Sequence, residues 1–368
     1  MRKGVAGALK RLALIVGGLL FGLLLAELGF RVLKPLSTQI NHRPLVYQPD
    51  PVIGYRLIPG SSDYIERYEY RQPVQINSDG FFDDEYPEVP PPGVTRIAAI
   101  GDSYTAGFQV GRAYNYPDVL ERLLNEEGLP GCPCEVLNFG LDGTGTVQQV
   151  AIFEQIALNY QPDIVVVAFH STDLRDTQVG LVQRDLYRGY ELVYRDETGR
   201  EELTRQVDAL LSGGGGALRF AVQHSYLVRV LYNAWLKGTE STSPNLRDNR
   251  AATSFETVYT IEEAQSLIVD GVERMAQTCE EVGCEVVFVV IPTKKQSKGE
   301  GGPPFFVPIT EALAKHGVRR MSLVKPVKRR AAQGEELFFE YDGHFNRDGY
   351  QLMAEEIAAH LQQEGLLD

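Results

Sequence analysis

The stretch Thr95-Arg-Ile-Ala-Ala-Ile-Gly-Asp-Ser-Tyr-Thr-Ala-Gly107 decides the fold of this chain of 368 residues. Its apolar run ends abruptly at Gly101-Asp102-Ser103, which predicts a buried strand followed by a tight turn. In open α/β sheets, ligands bind at the carboxyl ends of the strands, so Ser103 is expected at the edge of the sheet where a substrate would bind. By itself the tripeptide is equally compatible with an ordinary turn, because Gly and Asp are common turn residues.

A second motif, near the carboxyl terminus, supplies an acid and a base. Asp342-Gly343-His344 precedes an amphipathic run over residues 350–361. A serine hydroxyl is a poor nucleophile at neutral pH, and it needs an imidazole to take its proton and a carboxylate to orient that imidazole. An isolated Asp-Gly-His is more often a turn, but together with the Ser103 motif it indicates a catalytic triad.

Helical periods alternate with apolar runs through the middle of the chain. Helices are predicted over residues 119–124, 147–158 and 267–276, and the last leads into a strand over residues 286–291. This β-α-β alternation predicts a mostly parallel sheet that is covered on both faces.

The segment from about residue 177 to residue 256 breaks this pattern and is predicted to be an insertion. It contains a predicted hairpin over residues 190–199, a glycine joint over residues 213–216, one amphipathic helix over residues 217–236 and a loop over residues 241–250. Two interpretations remain open: the insertion covers the active site, or it is a subdomain that buries its own apolar face. His224 within it is expected to be a packed helix residue.

Four blocks, in this order, resemble those of the SGNH (GDSL-type) hydrolase superfamily over roughly residues 93–365. The blocks are Gly101-Asp102-Ser103 with Thr105 and Gly107; Leu137-Asn138-Phe139-Gly140; Phe169-His170-Ser171-Thr172-Asp173; and Asp342-Gly343-His344 with Asn346 and Gly349. The resemblance implies a flavodoxin-like three-layer α/β fold with a central parallel sheet.

The resemblance also implies a role for each matching residue. Ser103 is the expected nucleophile, His344 the general base and then acid, and Asp342 its orienting carboxylate. The backbone N–H groups of Ser103 and Gly140 are the expected donors of an oxyanion hole, with Thr172 as the third donor. Such donors stabilise the tetrahedral intermediate by about 3–4 kcal/mol each.

Two positions depart from the pattern of the superfamily. Thr172 stands where the family has an asparagine, and its hydroxyl reaches less far, so Ser171 and His170 remain alternative third donors. The aspartate precedes the histidine by two residues instead of the usual three. The shorter gap resembles that of the alginate O-acetyltransferase-like branch, and it makes Glu340 an alternative orienting carboxylate.

The amino terminus predicts a location outside the cytoplasm. Basic residues (Arg2, Lys3, Lys10 and Arg11) precede an apolar run over residues 12–30 that only Glu27 interrupts. This length is close to the roughly 20 residues that span a bilayer, and no small residue marks a cleavage site, so a retained anchor is favoured over a cleaved signal peptide. The basic flank would stay in the cytoplasm and the catalytic domain would lie outside.

The expected organisation is therefore a cytoplasmic tail over residues 1–11, a transmembrane anchor over residues 12–33, a leader over residues 36–92 and an SGNH catalytic domain over residues 93–368. The leader is expected to pack on the catalytic domain.

Net charge, short motifs and cysteines indicate which classes of partner, cofactor and cross-link to expect. The net charge of −13 argues against a nucleic-acid partner, which would need basic patches. No phosphate-binding glycine loop and no histidine pair at metal-ligand spacing are present, so no cofactor and no metal are indicated. The four cysteines (Cys132, Cys134, Cys279 and Cys284) are expected to be structural, and their three possible pairings stay open.

The function predicted from these residues is that of a membrane-anchored serine esterase. It would act on ester-linked acyl groups of extracytoplasmic carbohydrate, through an acyl-serine intermediate. The first alternative is an O-acetyltransferase that modifies a cell-envelope polysaccharide. The second is a non-catalytic glycan-binding module with a degenerate site.

Overall fold

The computed structural model describes residues 2–126, 133–236, 248–252, 255–300 and 304–367. The helices are α1 (Arg2–Leu33), α2 (Ser103–Ala106), α3 (Tyr116–Leu124), α4 (Thr146–Gln155), α5 (Ser171–Val179), α6 (Glu197–Leu211), α7 (Gly215–His224), α8 (Tyr226–Leu236), α9 (Ile261–Val282), α10 (Lys294–Ser297), α11 (Val307–Lys315), α12 (Val324–Ala332) and α13 (Arg347–Gln363). The strands are β1 (Tyr47–Asp50), β2 (Gly54–Leu57), β3 (Ser62–Glu66), β4 (Arg71–Gln75), β5 (Thr95–Gly101), β6 (Cys134–Asn138), β7 (Ile164–Phe169), β8 (Gln183–Tyr187), β9 (Tyr190–Tyr194), β10 (Arg250–Ala252), β11 (Glu285–Val290) and β12 (Arg319–Ser322).

The central sheet has five parallel strands in the order β12-β11-β7-β5-β6. When these five strands are renumbered 1 to 5 along the chain and read from β6 to β12, the order is 2-1-3-4-5, the flavodoxin-like arrangement. The chain order reverses between β5 and β7, so the loops after these two strands flank the crevice where ligands bind in such folds. The predicted α/β fold is confirmed.

Helices cover both faces of the sheet. One apolar cluster joins it to α4, α9 and α11 through residues such as Phe153, Ile268 and Leu313. The other joins it to α3, α12 and α13 through residues such as Leu120 and Met353. Every residue of β7 is buried, as expected for a strand covered on both sides.

The leader packs on the catalytic domain through two antiparallel hairpins, β1–β2 and β3–β4. Tyr55, Val74 and Phe82 are buried in the same apolar cluster as Ile100 of β5. The leader is therefore part of the folded core.

The insertion forms a small sheet in the order β10-β9-β8, with α6 packed on β9. The predicted hairpin turn is displaced: it lies at Arg188-Gly189, and Asp196 begins α6 by accepting a hydrogen bond from the Gly199 N–H at 2.8 Å. Asp196 is a favoured helix cap, which competed with the turn interpretation. Residues 241–247 of the predicted loop lie outside the described residues.

The single helix predicted over residues 217–236 is two helices, α7 and α8, broken at Ser225. The sequence shows no Gly or Pro there. Two caps fix the break. Ser225 Oγ accepts the Val228 N–H at 3.2 Å, and Glu27 of α1 accepts hydrogen bonds from Ser225 Oγ and from the first N–H groups of α8. The prediction that His224 is a packed helix residue is wrong: it is exposed at the end of α7, where its ring stacks on the exposed Phe220.

A buried ion network joins the leader, the loop after β6 and the insertion. Arg43 pairs with Asp142 at 2.6 Å and with Glu191 of β9 at 3.1 Å. Arg184 of β8 pairs with the same two carboxylates at 3.5 and 3.0 Å. Glu191 is fully buried, so loss of a partner would leave a buried charge that is poorly compensated. The network clamps the loop that follows Gly140 between two segments that are distant in sequence.

Cys279 and Cys284 form a disulfide that closes the turn between α9 and β11. Cys134 is buried at the start of β6, and Cys132 lies outside the described residues.

Candidate active site

Ser103 is the first residue of α2, directly after β5 and Asp102. Asp102 caps α2, with its Oδ1 accepting a hydrogen bond from the Tyr104 N–H at 2.9 Å. The turn requires a glycine before it, because a Cβ at Gly101 would lie 2.2 Å from Thr105 Oγ1. The Ser103 N–H belongs to the first turn of a helix, where backbone N–H groups have no intrahelical acceptor.

The structure brings His344 to Ser103 across 241 residues of sequence. Ser103 Oγ lies 2.8 Å from His344 Nε2, and His344 Nδ1 contacts Asp342 Oδ1 closely. Asp342 Oδ1 also accepts the backbone N–H of His344 at 3.1 Å, which forms an Asx turn. This turn explains the two-residue gap, since one carboxylate oxygen meets both the backbone and the ring of His344. Glu340 is exposed, and no hydrogen bond joins its carboxylate to His344 in the described structure.

Charge and burial oppose each other at this pair. Burial lowers the pKa of the His344 imidazole, but the hydrogen bond and the negative charge of Asp342 outweigh it, so the pKa lies above its ordinary value. Burial raises the pKa of the Asp342 carboxyl, but hydrogen bonds from His344 and Tyr70 and the charge of His344 bring it well below its ordinary value. Asp342 is therefore ionised wherever His344 titrates.

Gly140 follows β6 and packs against α2. A Cβ at Gly140 would lie 2.2 Å from the Ala106 nitrogen, so only glycine permits this approach. The Gly140 N–H donates to Asn138 Oδ1 at 3.0 Å. Its role in an oxyanion hole remains a prediction, and it would require this N–H to be shared with the substrate or turned from Asn138.

Thr172 lies at the start of α5, after β7. Its hydroxyl donates to Asp102 Oδ2 at 2.5 Å and lies 2.8 Å from His170 Nδ1. The hydroxyl proton is thus engaged with Asp102 in this structure, and Thr172 as a third oxyanion donor remains a prediction. The contact ties the loop after β7 to the serine turn.

His170 is buried beside the ring of Tyr104, with the ring centroids 4.4 Å apart. Burial lowers the pKa of His170 to about 3, and the charge of His344 adds to the effect, so the ring is neutral. Its Nδ1 accepts from the Thr172 N–H, whereas its buried Nε2 has no hydrogen-bond partner. Ser171 is half-buried next to it.

Within the part of the chain that the structure describes, no group of three or more His, Cys, Asp or Glu side chains is arranged to hold a metal ion.

The sequence model of the GDSL-like lipase/acylhydrolase family matches residues 97–357, which span the serine turn and the Asp342–His344 loop. The chain belongs to this family. It is accordingly a hydrolase that acts on ester bonds, and its substrates are acylated compounds.

Solved structures of other family proteins are similar to this GDSL-like hydrolase. They include the lipase/acylhydrolase from Enterococcus faecalis (16% identity over 73% of this chain and 96% of that one, TM-score 0.39). A catalytic mutant of an acetylxylan esterase from Geobacillus stearothermophilus is 12% identical over 73% of this chain and 93% of that one, with a TM-score of 0.40. Among curated proteins, no match was found.

Sequence reasoning missed two residues of the leader that contact the Asp342–His344 loop of this hydrolase. Tyr70 is buried and its hydroxyl donates to Asp342 Oδ2 at 2.8 Å, the oxygen that His344 does not use. Glu69 accepts the backbone N–H groups of Glu340 and Tyr341 at 2.5 and 2.7 Å. Both residues precede the region matched by the family, and no local pattern marks them.

Replacing Tyr70 with phenylalanine tests whether the leader positions Asp342. We expect kcat/KM to fall about tenfold, the loss of one hydrogen bond to a charged group. Without the Tyr70 hydrogen bond, the negative charge of Asp342 would stabilise the His344 imidazolium more strongly and raise the pKa of His344. The acid limb of the pH profile should therefore move to higher pH. Tyr68→Phe is the matched control, since its hydroxyl donates to the Lys34 carbonyl. Equal profiles for the two variants would contradict a positioning role.

Proposed function

We propose that this chain is a serine esterase whose nucleophile is Ser103. The observation that carries the proposal is the continuous line of hydrogen bonds from Ser103 Oγ through His344 to Asp342. This arrangement lets a neutral imidazole take the hydroxyl proton while a carboxylate stabilises the imidazolium that forms.

The reaction proceeds in two halves. Ser103 Oγ attacks the ester carbonyl carbon as its proton passes to His344 Nε2, and a tetrahedral oxyanion forms. The C–O bond to the leaving alcohol then breaks, and His344 returns the proton to that alcohol, which leaves an acyl-Ser103 ester. Water attacks this ester with His344 again as base, and collapse of the second intermediate releases the acid and restores Ser103.

The developing oxyanion needs preorganised donors. The backbone N–H groups of Ser103 and Gly140 are the two donors we assign. Ser103 follows the carboxyl end of β5, Gly140 follows the carboxyl end of β6, and Gly140 packs against α2, the helix that begins at Ser103. Each is expected to contribute about 3–4 kcal/mol to the stabilisation of the transition state. A third donor, from Thr172, would have to release its hydrogen bond to Asp102 when substrate binds.

Our proposal for the location and the substrate class is supported by α1. Among the described residues, α1 from Leu9 to Leu33 is the one helix long and apolar enough to cross a membrane, a property that signal sequences share. A retained anchor is supported by the contacts of Glu27 with α8, because cleavage after this helix would remove the cap of α8. With the basic flank in the cytoplasm, the catalytic domain faces outward, and acylated carbohydrate of the cell envelope is the substrate class within its reach.

O-acetyl transfer to a glycan is the second candidate function. The two-residue gap between Asp342 and His344, which resembles that of the alginate O-acetyltransferase-like branch, favours it. In this case a glycan hydroxyl would replace water in the second half of the reaction. A non-catalytic glycan-binding module remains the third candidate.

Reaction with an organophosphonate tests whether Ser103 is a nucleophile, which distinguishes the two enzymes from the binding module. We expect the phosphonate to form a covalent adduct on Ser103, found by mass spectrometry of the peptide, with none in Ser103→Ala or His344→Ala. An inert Ser103 in the folded protein would favour the binding module. Incubation of the labile donor p-nitrophenyl acetate with a glycan acceptor then distinguishes the two enzymes: free acetate alone indicates the esterase, and acetylated glycan indicates the transferase.

A further inference from the structure

The carboxylate of Glu27, the acidic residue within the apolar part of α1, caps a helix of the insertion. It accepts hydrogen bonds from Ser225 Oγ at 2.8 Å, from the Tyr226 N–H at 3.1 Å and from the Leu227 N–H at 2.8 Å. A carboxylate at a helix N-terminus is stabilised by these N–H groups and by the helix dipole.

Arg31, one turn further along α1, completes this joint. Its Nε pairs with Glu27 at 2.7 Å, and its Nη2 donates to the His224 carbonyl at the end of α7 at 2.8 Å. The four partners of Glu27 account for a carboxylate in an otherwise apolar segment, since a charge within a membrane span is tolerated when it is paired and hydrogen-bonded. The junction of α7 and α8 is thus fixed to one level of α1.

That level lies within the candidate membrane span. Glu27 precedes the end of α1 at Leu33 by six residues, which is roughly 9 Å of helix at 1.5 Å per residue. With the span that ends at Leu33 in a bilayer, the α7–α8 junction lies in the interfacial region of that bilayer, on the side where α1 ends.

The same two helices expose large apolar side chains. The exposed fractions are 63% for Phe220 of α7 and 62% and 66% for Leu231 and Trp235, which lie four residues apart on one face of α8. We call these three residues the α7–α8 apolar patch. Trp, Phe and Leu are the side chains that interfacial helices insert at the boundary between headgroups and acyl chains.

We propose that the α7–α8 apolar patch inserts into the interface of the bilayer that α1 crosses, on the side where α1 ends. The insertion then holds the catalytic domain against the membrane at a second point, in addition to the anchor. This inference rests on the anchoring proposed above and is independent of the catalytic assignment. The lipid surface is the occupant because the patch belongs to the helices that Glu27 and Arg31 attach to the span.

Trp235 is the only tryptophan of the chain, so its fluorescence reports on the patch directly. The full chain is reconstituted in phosphatidylcholine liposomes and isolated by flotation. Lipid that carries bromine near the headgroup end of its acyl chains should quench Trp235 emission several-fold relative to unbrominated lipid. A chain that floats without this quenching overturns the patch proposal and leaves the anchor intact, whereas a chain that does not float overturns both.

A double variant, Phe220→Ser with Leu231→Ser, keeps the fluorescent probe Trp235 and removes the other two residues of the patch. We expect most of the quenching to disappear while the melting temperature stays unchanged, because both side chains are exposed. The matched control is Val282→Ser, at the end of α9 and 61% exposed, which should retain full quenching. Equal quenching in the double variant and the control, or quenching replaced by concentration-dependent self-association, would overturn the proposal.

Discussion

Ser103→Ala is expected to lower kcat/KM for p-nitrophenyl acetate by on the order of 10⁶, the scale of loss when a triad serine is removed. Alanine cannot form the acyl-enzyme, so only catalysis by the remaining donors and by binding persists. The measurement is the initial rate under subsaturating substrate, together with circular dichroism and a melting curve. Ser103 is half-buried, and among the described side chains its Oγ hydrogen-bonds to His344, so stability should change little.

Ser322→Ala is the matched control for this variant. Ser322 also lies at the carboxyl end of a strand of the central sheet, in β12, and it is exposed. Its replacement should leave kcat/KM unchanged. Turnover retained in Ser103→Ala, with the fold intact, would dispose of Ser103 as the nucleophile.

Asp342→Asn is expected to reduce kcat by about 10⁴, because the amide would hold the His344 imidazole in the wrong tautomer. A pH effect accompanies the loss. His344 must be neutral to act as base, so wild-type activity should rise through a pKa above the ordinary value of about 6.5. Without the Asp342 charge and hydrogen bond, which are the largest influences that raise the pKa of His344, burial lowers that pKa against only the weaker charges of Asp102 and Asp142, so the acid limb should move to lower pH.

Glu340→Gln separates the two carboxylates that the sequence offered. Glu340 is exposed, and Asp342 holds His344, so this variant should keep the wild-type rate and pH profile. Rates and profiles are measured over the same buffers for both variants. A large loss in Glu340→Gln with little loss in Asp342→Asn would reverse the assignment of the orienting carboxylate.

Much of the fold could be predicted because its signals are local. The apolar run of β5 ends at Gly101-Asp102-Ser103, and the alternation of strands and helices specified a parallel sheet with both faces covered. The order of the four blocks was sufficient for the family, which the match over residues 97–357 confirms. Boundaries within the insertion were less accurate, since a cap at Asp196 and a break at Ser225 depend on competing hydrogen bonds.

The sequence by itself determined the α/β fold, the family and the candidates Ser103, Asp342 and His344, because periodicity and short motifs are written in neighbouring residues. Only the tertiary structure decided the partners of those candidates. Tyr70 meets Asp342 across 272 residues, and the hydroxyl of Thr172 meets Asp102 across 70. A hydrogen bond between such distant residues leaves no local pattern, since it depends on how the leader and the sheet pack together.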